Sequence, residues 1–425
     1  MKYSEMTPDQ RLSELKELRG EYARIQEKHY KLDMSRGKPG AEQLALTQDM
    51  LGVISTPEDC ISEGGFDCRN YGMLDGIPEA KRMFADLLDV EPKSIIVMGN
   101  SSLNTMYDEV VRALMFGVPG GKEPWGKQGK VKFLCPAPGY DRHFAICEAT
   151  GIEMIPIAMT PTGPDMDQVE ALCGADSSIK GIWCVPKYSN PDGIVYSAET
   201  VERFARLKPA APDFRIFWDN AYAVHDFCET PETIPNLLRE AAKYGNEDQV
   251  LMFASTSKIT FPGSGVAILV ASDANIAATK YHLGYQTISY DKINQMRHVK
   301  FFGNAQGILE HMKRHAAIIR PKFEIVTEAL QKLEPLGICT YTNPRGGYFL
   351  SLNVMDGCAQ RVYDLAAGAG VTLTNCGATY PYGKDPHDSN LRIAPTYPSN
   401  EELRVAVQIL CLCVRLACLE KLSEQ

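Results

Sequence analysis

The 425-residue sequence lacks the segments that direct a protein into a membrane or to secretion. Its N-terminus has neither the basic region nor the apolar region of a secretion signal, so we expect the mature chain to start there. The longest apolar stretch near the C-terminus is interrupted by Gln408 and Arg415 and is too short to span a bilayer. We therefore expect a cytoplasmic protein that does not insert into membranes.

A basic surface stripe is lacking as well. The formal net charge is −9, and the Lys and Arg residues are scattered along the chain instead of forming runs. Such a chain offers little to the phosphates of a nucleic acid or to an acidic lipid surface. We therefore expect no nucleic-acid partner.

The thirteen cysteines include no CxxC pair and accompany no secretion signal, so we interpret most of them as buried apolar residues of a reduced protein. His311 and His315 have the spacing of metal ligands on a helix. The run HMKRH, however, carries neither a helical glutamate nor a cysteine partner. We interpret both histidines as part of a solvated helix face and expect no metal site.

What the chain does have is an alternation of short apolar runs and helical segments through its middle, without internal repeats. The runs contain few polar residues, as is typical of parallel strands that are buried on both faces. They span residues 94–98, 131–135, 152–156, 181–185, 215–218, 250–254 and 266–271. We predict an α/β fold with a mostly parallel seven-stranded sheet and helices on both faces.

The two ends of the chain follow a different pattern. Thr7 and Pro8 resemble a helix N-cap followed by a proline at the first helical position. From about Gly303 a long helical stretch leads into GICTYTNPRGGYFLSL, which we interpret as strand, turn and strand. We predict a large domain at residues 41–305 and a smaller α+β domain at residues 306–425, on which a helix and arm formed by residues 1–40 pack.

Polar residues follow five of the predicted strands. They are the group Gly99-Asn100-Ser101-Ser102 and the single residues Tyr140, Asn190, Asp219 and Lys258. Ligands of open α/β sheets bind beyond the carboxyl ends of the strands. We therefore expect these side chains to converge in one crevice.

Two of these residues suit chemistry in such a crevice. Lys258, between an apolar strand and a proline-glycine turn, can lose its proton near desolvating walls and form an imine with an aldehyde. Asp219, if buried, needs a cationic partner, and a protonated pyridine nitrogen is one. The alternatives are a solvated lysine and a helix-capping aspartate. The stretch MGNSSL has a strand-to-helix geometry that suits a phosphate, although a plain N-cap explains it too.

With these motifs the sequence resembles the fold type I pyridoxal-phosphate enzymes, in particular the aspartate aminotransferase superfamily and its divergent bacterial branch. The likeness extends from about Leu32 to Pro398, and the motifs fall in the family's order and approximate spacing. The resemblance implies pyridoxal 5'-phosphate as cofactor, an amino acid and a 2-oxo acid as substrates, and a homodimer with shared active sites.

The resemblance also implies roles around the cofactor ring. Lys258 in STSK would form the Schiff base, and Asp219 in WDNAY would pair with the pyridine nitrogen. Tyr222 in the same motif and Asn190 in NPDG would bond the 3-hydroxyl oxygen, and Asn190 also matches a substrate contact. Tyr140 in PAPGYDRHF matches the aromatic residue that stacks on the ring, with a core position as its alternative. We expect Lys258, Asp219 and Tyr222 to be the catalytic residues.

A second set of residues matches the family's phosphate site. Ser101 and Ser102 in GNSSL match the phosphate-binding turn, and Ser255 would help to hold the phosphate. Tyr71 in NYGMLDGIPEAK resembles the tyrosine that reaches the neighbouring subunit's phosphate, with a surface position as its alternative. Many relatives carry an arginine eight residues after the lysine, where this chain has Val266. We expect backbone N–H groups and serine hydroxyls to replace it.

Fewer residues are predicted to bind the substrate. Gly37 in SRGKP and Arg392 in NLRIAP match the residues that receive the α-carboxylate, and the planar fork of an arginine suits that group. A turn glycine and an exposed arginine are the alternatives. A dicarboxylate substrate needs a second cation, for which Lys292 and Arg297 of a partner subunit or Arg345 of the same subunit are candidates. A solvated charge is the alternative for each of the three.

The predicted reaction is the transfer of an amino group from aspartate to 2-oxoglutarate. Another amino donor, or a lyase or decarboxylase of the same fold, is the alternative, because fold and cofactor do not determine the reaction. An effector domain of a transcription regulator would also preserve the lysine. That interpretation needs a fused helix-turn-helix domain, for which the N-terminal extension has no room.

Overall fold

The helices and strands alternate through the middle of the chain, as the apolar runs predict. The computed structural model describes residues 1–424. Its α-helices are α1 (Pro8–Gln26), α2 (Ala41–Ala45), α3 (Pro78–Leu88), α4 (Ser102–Phe116), α5 (Asp141–Thr150), α6 (Met166–Ala175), α7 (Ala198–Ala205), α8 (Leu237–Ala242), α9 (Asp273–Gln286), α10 (Lys292–Phe302), α11 (Ala305–Gln331), α12 (Ala359–Gly368) and α13 (Asn400–Glu424). Its strands are β1 (Leu32–Asp33), β2 (Ile95–Met98), β3 (Lys132–Ala137), β4 (Glu153–Thr160), β5 (Gly163–Pro164), β6 (Ile179–Cys184), β7 (Arg215–Asp219), β8 (Val250–Ser255), β9 (Ala267–Ala271), β10 (Cys339–Tyr341), β11 (Leu350–Val354), β12 (Val371–Thr372) and β13 (Asn390–Ile393).

The large sheet has the strand order β2-β9-β8-β7-β6-β3-β4-β5. Strands β4, β3, β6, β7 and β8 pair in parallel, whereas β9 is antiparallel to both of its neighbours. All seven predicted runs form strands of this sheet, and the mostly parallel α/β fold is confirmed. An eighth strand, β5, is a two-residue antiparallel pairing at the edge, too short to show in the apolar pattern.

Both faces of the sheet are buried because successive side chains of each strand point to opposite sides. Phe133, Trp183 and Phe217 belong to one core, which helices α4, α5 and α9 complete. Ile216 and Trp218, which flank Phe217 in β7, belong to the other core, which includes residues of α3, α6, α7 and α8. The strand ends between these cores are therefore held rigidly.

A separate hydrophobic core joins the two ends of the chain. Leu15 and Leu18 of α1 pack with buried residues of α11, α12 and α13 around the antiparallel strands β10, β11 and β13. The N-cap of α1 is Thr7, whose side chain accepts a hydrogen bond from the Gln10 N–H, and Pro8 occupies the first helical position, as predicted. The short strand β1 after this helix pairs in parallel with β12.

The interpretation of His311 and His315 as a solvated face is wrong. Both side chains are buried in α11, with their Nε2 atoms 3.0 Å apart. His311 Nε2 lies 3.0 Å from the Ile259 carbonyl oxygen, and His315 Nδ1 lies 3.1 Å from Gln43 Nε2. The segments that cover α11 here are remote in sequence, so the spacing of the histidines alone did not reveal their burial.

The cysteines and the C-terminal helix were also considered in the sequence. All thirteen cysteines are free, and most of them are buried. Helix α13, which contains Gln408 and Arg415, is the apolar stretch noted near the C-terminus. Within residues 1–424 no helix combines the length and the apolar composition needed to cross a membrane.

Candidate active site

The predicted polar residues converge in one cavity at the carboxyl ends of the large sheet's parallel strands. Asp219 is the last residue of β7 and Ser255 the last of β8, while Ser101 and Ser102 follow β2. The cavity is lined by Ser101, Ser102, Leu103, Tyr140, Val185, Asn190, Asp219, Ala221, Tyr222, Ser255, Ser257 and Lys258. The structure thus brings together all the predicted cofactor contacts except Tyr71.

Asp219 lies at the buried end of this cavity and is 2% exposed. Its Oδ2 accepts a hydrogen bond from His143 Nε2 at 3.1 Å, and the His143 ring stacks on Trp183 with centroids 4.4 Å apart. Its other oxygen, Oδ1, has no hydrogen-bond partner among the described residues. A buried carboxylate oxygen without a partner costs free energy and suits a cationic N–H donor in the cavity.

His143 was missed in the sequence, although it stands in the motif PAPGYDRHF. It lies three residues after Tyr140, so that one turn of helix places both rings near each other, with centroids 4.9 Å apart. This spacing in the sequence could have indicated that the His143 ring lies near the Tyr140 ring. The contact with Asp219 joins residues far apart in the chain, which the motif alone does not show.

Lys258 reaches into the cavity from the loop after β8. Its Nζ lies 4.9 Å from the centre of the Tyr222 ring and 5.9 Å from that of Tyr348. Burial lowers the pKa of the Lys258 amine, the charge of Arg392 adds to this, and the charge of Asp219 opposes it. A lysine with a lowered pKa supplies more of the neutral amine, which is the nucleophile.

The phenols around the cavity stay neutral. Burial raises the pKa of Tyr140 and of Tyr222, and the nearby Asp219 carboxylate adds to the rise for both. A neutral phenol can donate a hydrogen bond from its O–H. Asn190, in the turn after β6, is buried and presents an amide beside them.

Small polar groups line the opposite end of the cavity, at the start of helix α4. Ser101 is the N-cap residue of α4, and the positive end of a helix macrodipole favours an anion there. Ser255 Oγ lies 3.1 Å from Ser257 Oγ. The Gly265 backbone passes so closely that a Cβ there would lie 3.0 Å from the Asn100 carbonyl oxygen. These features suit a phosphate group.

Val266, eight residues after Lys258, points away from this end. Its side chain is buried in the sheet core, and its backbone N–H donates to Thr256 Oγ1 at 2.8 Å. An arginine at this position would bring an unpaired charge into an apolar core. The hydroxyl groups and the helix terminus are the remaining polar features at this end of the cavity.

Arg392 lies in β13, across from the cavity, and is 8% exposed. Its Nη1 lies 2.7 Å from Asp141 Oδ1 and 3.4 Å from Asn190 Oδ1. Its guanidinium lies 4.9 Å from the centre of the Phe349 ring. Gly37 packs against the same ring, since a Cβ on Gly37 would lie 2.3 Å from Phe349 Cζ. Gly37 and Arg392 are thus brought together at the Phe349 ring.

Four further predicted residues line neither the cavity nor the surroundings of Arg392. Tyr71 is 74% exposed. Lys292 packs with its Nζ 5.7 Å from the Phe66 ring centre, and Arg297 donates to Asn294 Oδ1 at 2.8 Å. The exposed Arg345 pairs with Glu232 at 2.7 Å. Their proposed roles depend on a second copy of the chain or on a rearrangement, and they stay predictions.

Comparisons with known proteins agree with this geometry. The family model described as aspartate amino-transferase matches residues 6–425. The chain is 47% identical to a putative aminotransferase of Mycolicibacterium smegmatis, over 94% of each sequence. It is 43% identical to an aspartate aminotransferase of Corynebacterium glutamicum, over 95% of this chain and 93% of that protein. A crystal structure of an aspartate transaminase from the same organism superposes with a TM-score of 0.96 at 39% identity and covers 99% of each chain.

Proposed function

We propose, since this chain belongs to the aspartate amino-transferase family, that it moves the amino group of L-aspartate to 2-oxoglutarate and produces oxaloacetate and L-glutamate. The chain is an aminotransferase by family. Its 43% identity to an aspartate aminotransferase over nearly the whole length supports aspartate as donor. The observation that carries the proposal is that Lys258 and Asp219 line one cavity, while Arg392 contacts Asn190 of the same lining.

The cofactor that fits this cavity is pyridoxal 5'-phosphate. The unpartnered Oδ1 of Asp219 suits the protonated nitrogen of a pyridine ring, and the serines at the start of α4 suit a phosphate. When bound, this group supplies an aldehyde that takes up the amino group and a ring that accepts electrons from the substrate's Cα.

Residues of the chain supply the catalytic base and the contacts to the cofactor. Lys258 Nζ would take the proton from the substrate's Cα and pass it to the cofactor carbon that carries the aldehyde, because burial lowers the pKa of this amine and favours its neutral form, which can accept a proton. Asp219, held by His143, would pair with a positive ring nitrogen. Tyr222 and Asn190 would hold the ring oxygen, Tyr140 would pack on the ring, and Ser101, Ser102 and Ser255 would hold the phosphate.

Arg392 and Gly37 position the substrate. The buried guanidinium receives the α-carboxylate and orients the Cα–H bond toward Lys258, so that binding lowers the entropic cost of the reaction. Gly37 leaves room for Phe349, which packs against the guanidinium. Asn190, 3.4 Å from Arg392 Nη1, adds a polar contact at the same place.

We propose a homodimer in which Tyr71 reaches the phosphate of the second copy. The high exposure of Tyr71 supports this, as do the exposed aromatic residues Tyr107, Tyr281 and Tyr285 on helices α4 and α9. We also propose a cytoplasmic location, because thirteen free thiols suit a reducing compartment.

Among the candidates for the second cation, Lys292 is tested first, because its Nζ lies 5.7 Å from the centre of the Phe66 ring, in the segment that leads to Tyr71. Arg345 already has Glu232 as its partner and is exposed. Lys292→Met should therefore lower the ratio of kcat/KM for aspartate to that for alanine by about ten-fold, which corresponds to one charge-assisted hydrogen bond. Arg297→Met and Arg345→Met test the other two candidates in the same way.

The test of the function is a panel of amino donors with 2-oxoglutarate, in which product oxaloacetate and glutamate are measured. Aspartate should give the highest kcat/KM, and alanine, leucine and phenylalanine lower values. A preference for an apolar or aromatic donor contradicts aspartate as the substrate. Release of ammonia or carbon dioxide without formation of glutamate favours the lyase or decarboxylase alternative.

A further inference from the structure

Arg392 is engaged by the protein itself before any substrate arrives. Asp141, the first residue of α5, places its Oδ1 2.7 Å from Arg392 Nη1. The Arg392 side chain is 7% exposed and that of Asp141 30%, so the pair lies at the wall between the cavity and solvent. The pair joins the large sheet's helices to strand β13.

Two further hydrogen bonds hold the Nε and Nη1 groups of the guanidinium, whereas Nη2 makes none to the described residues. Asn190 Oδ1 lies 3.4 Å from Nη1, and Thr374 Oγ1 accepts from Nε at 3.3 Å. Phe349 packs against the guanidinium at 4.9 Å. A planar guanidinium binds a carboxylate best through two parallel N–H groups. A substrate carboxylate that binds through Nη1 and Nη2 together needs an N–H group of Nη1, where Asp141 and Asn190 now accept.

Two carboxylates at one guanidinium repel each other, more strongly in a buried site than in water. Asp141 is the more exposed partner, so it can move toward solvent while Arg392 stays in place. We propose that Asp141 is an internal competitor for the substrate's α-carboxylate, so that binding exchanges one carboxylate for another on Arg392. This inference rests on the role of Arg392 in the proposed function.

The exchange has a consequence for affinity. A substrate gains its contact with Arg392 only by breaking the contact with Asp141, which makes binding weaker than the contact alone would give. The same exchange helps release of the 2-oxo acid product, because Asp141 returns to the guanidinium as the product leaves. Asp141 acts through Arg392 and is therefore a positioning residue that sets affinity.

The experiment uses the holoenzyme and succinate, a dicarboxylate that lacks the amino group and does not react. Calorimetry gives the Kd of succinate for the wild type, Asp141→Asn, Asp141→Ser and Asp141→Glu. The neutral variants should bind succinate about ten-fold more tightly, as expected for loss of a charge-assisted competitor. Asp141→Glu should stay near the wild type. Asp89→Asn, which breaks the exposed pair with Arg239, is the matched control and should leave the Kd unchanged.

A gain of affinity separates competition from a structural role, because damage to the fold weakens binding. An unchanged or raised Kd in the neutral variants overturns the inference. Arg392→Lys is measured in parallel and should raise the Kd. If Arg392→Lys leaves the Kd unchanged, the assignment of Arg392 fails and the competition fails with it. If Arg392→Lys raises the Kd while the Asp141 variants do not lower it, the competition alone is wrong.

Discussion

Replacing Asp219 with Asn exchanges one carboxylate oxygen for an amide nitrogen and keeps the shape of the side chain. His143 can still donate to the remaining oxygen, so the contact at 3.1 Å survives. In the protein without cofactor, the substitution removes a buried charge whose Oδ1 has no partner among the described residues, so stability should hold or rise. In the protein with pyridoxal 5'-phosphate, it removes the counter-ion of the ring nitrogen.

The size of the second effect follows from the burial. Asp219 is 2% exposed, and breaking a buried charge pair costs about 3–5 kcal/mol. At about 1.4 kcal/mol for each factor of ten, the Kd of the cofactor should rise at least about 100-fold. Cofactor titration of the protein by fluorescence gives this Kd. Thermal unfolding with and without cofactor should show a smaller stabilisation by the cofactor than in the wild type.

Asp213→Asn is the matched control, because Asp213 is equally buried but pairs with Lys180 at 2.7 Å, outside the cavity. It should lower the thermal midpoint with and without cofactor by a similar amount. If Asp219→Asn behaves like this control, or if its cofactor Kd equals that of the wild type, Asp219 has only a structural role and the cofactor's orientation in the cavity is wrong.

Lys258→Ala should abolish transamination while cofactor still binds non-covalently. After denaturation and gel filtration, the absorbance of the variant should show no cofactor attached to the protein. Turnover near the wild-type rate refutes the role of Lys258. Gly37→Ala should raise the KM for aspartate about ten-fold or more, because the new Cβ would lie 2.3 Å from Phe349 Cζ. Gly52→Ala is the control and should leave the KM unchanged, because a Cβ on Gly52 would have no atom within 4 Å. Burial lowers the pKa of His315 to about 3, so between that pH and the ordinary value of about 6.5 the unfolded chain binds a proton that the folded chain does not. The free energy of unfolding should therefore fall as the pH falls below 6.5. His315→Gln should remove about 2 kcal/mol of that loss at pH 5, measured by urea unfolding at pH 7 and pH 5. An identical pH dependence in the variant contradicts this.

The large sheet was predictable because its strands are buried on both faces and therefore appear as apolar runs. The polar residues after those runs were predictable for the same reason, since the ends of parallel strands meet at one edge. Strand β5 was not, because two residues, Gly163 and Pro164, carry no hydropathy pattern. The resemblance to the family supplied roles that the strand pattern could not assign, such as that of Gly37.

The errors have one physical origin. His311 and His315 were interpreted as solvated because helical spacing describes one helix and not what covers it. Their neighbours, Gln43 and Ile259, are 272 and 52 residues away in the chain. His143 and Asp141 were missed because their contacts with Asp219 and Arg392 likewise cross from one element to another. Tertiary contacts between polar side chains leave no periodic signal in the sequence.

The charged residues Asp219, Lys258 and Arg392 differ in how far the protein itself supplies their partners. Asp219 has His143 on one oxygen and leaves the other free, so the protein satisfies half of the carboxylate and a ring nitrogen would satisfy the rest. Burial lowers the pKa of Lys258 and the charge of Arg392 adds to this, so a second positive charge is disfavoured there. Arg392 differs from both, because the protein itself supplies its counter-ion, Asp141, which the substrate displaces on our proposal. On that proposal the cofactor adds a charge partner to the site, whereas the substrate exchanges one, so we expect the cofactor to bind more tightly than the substrate.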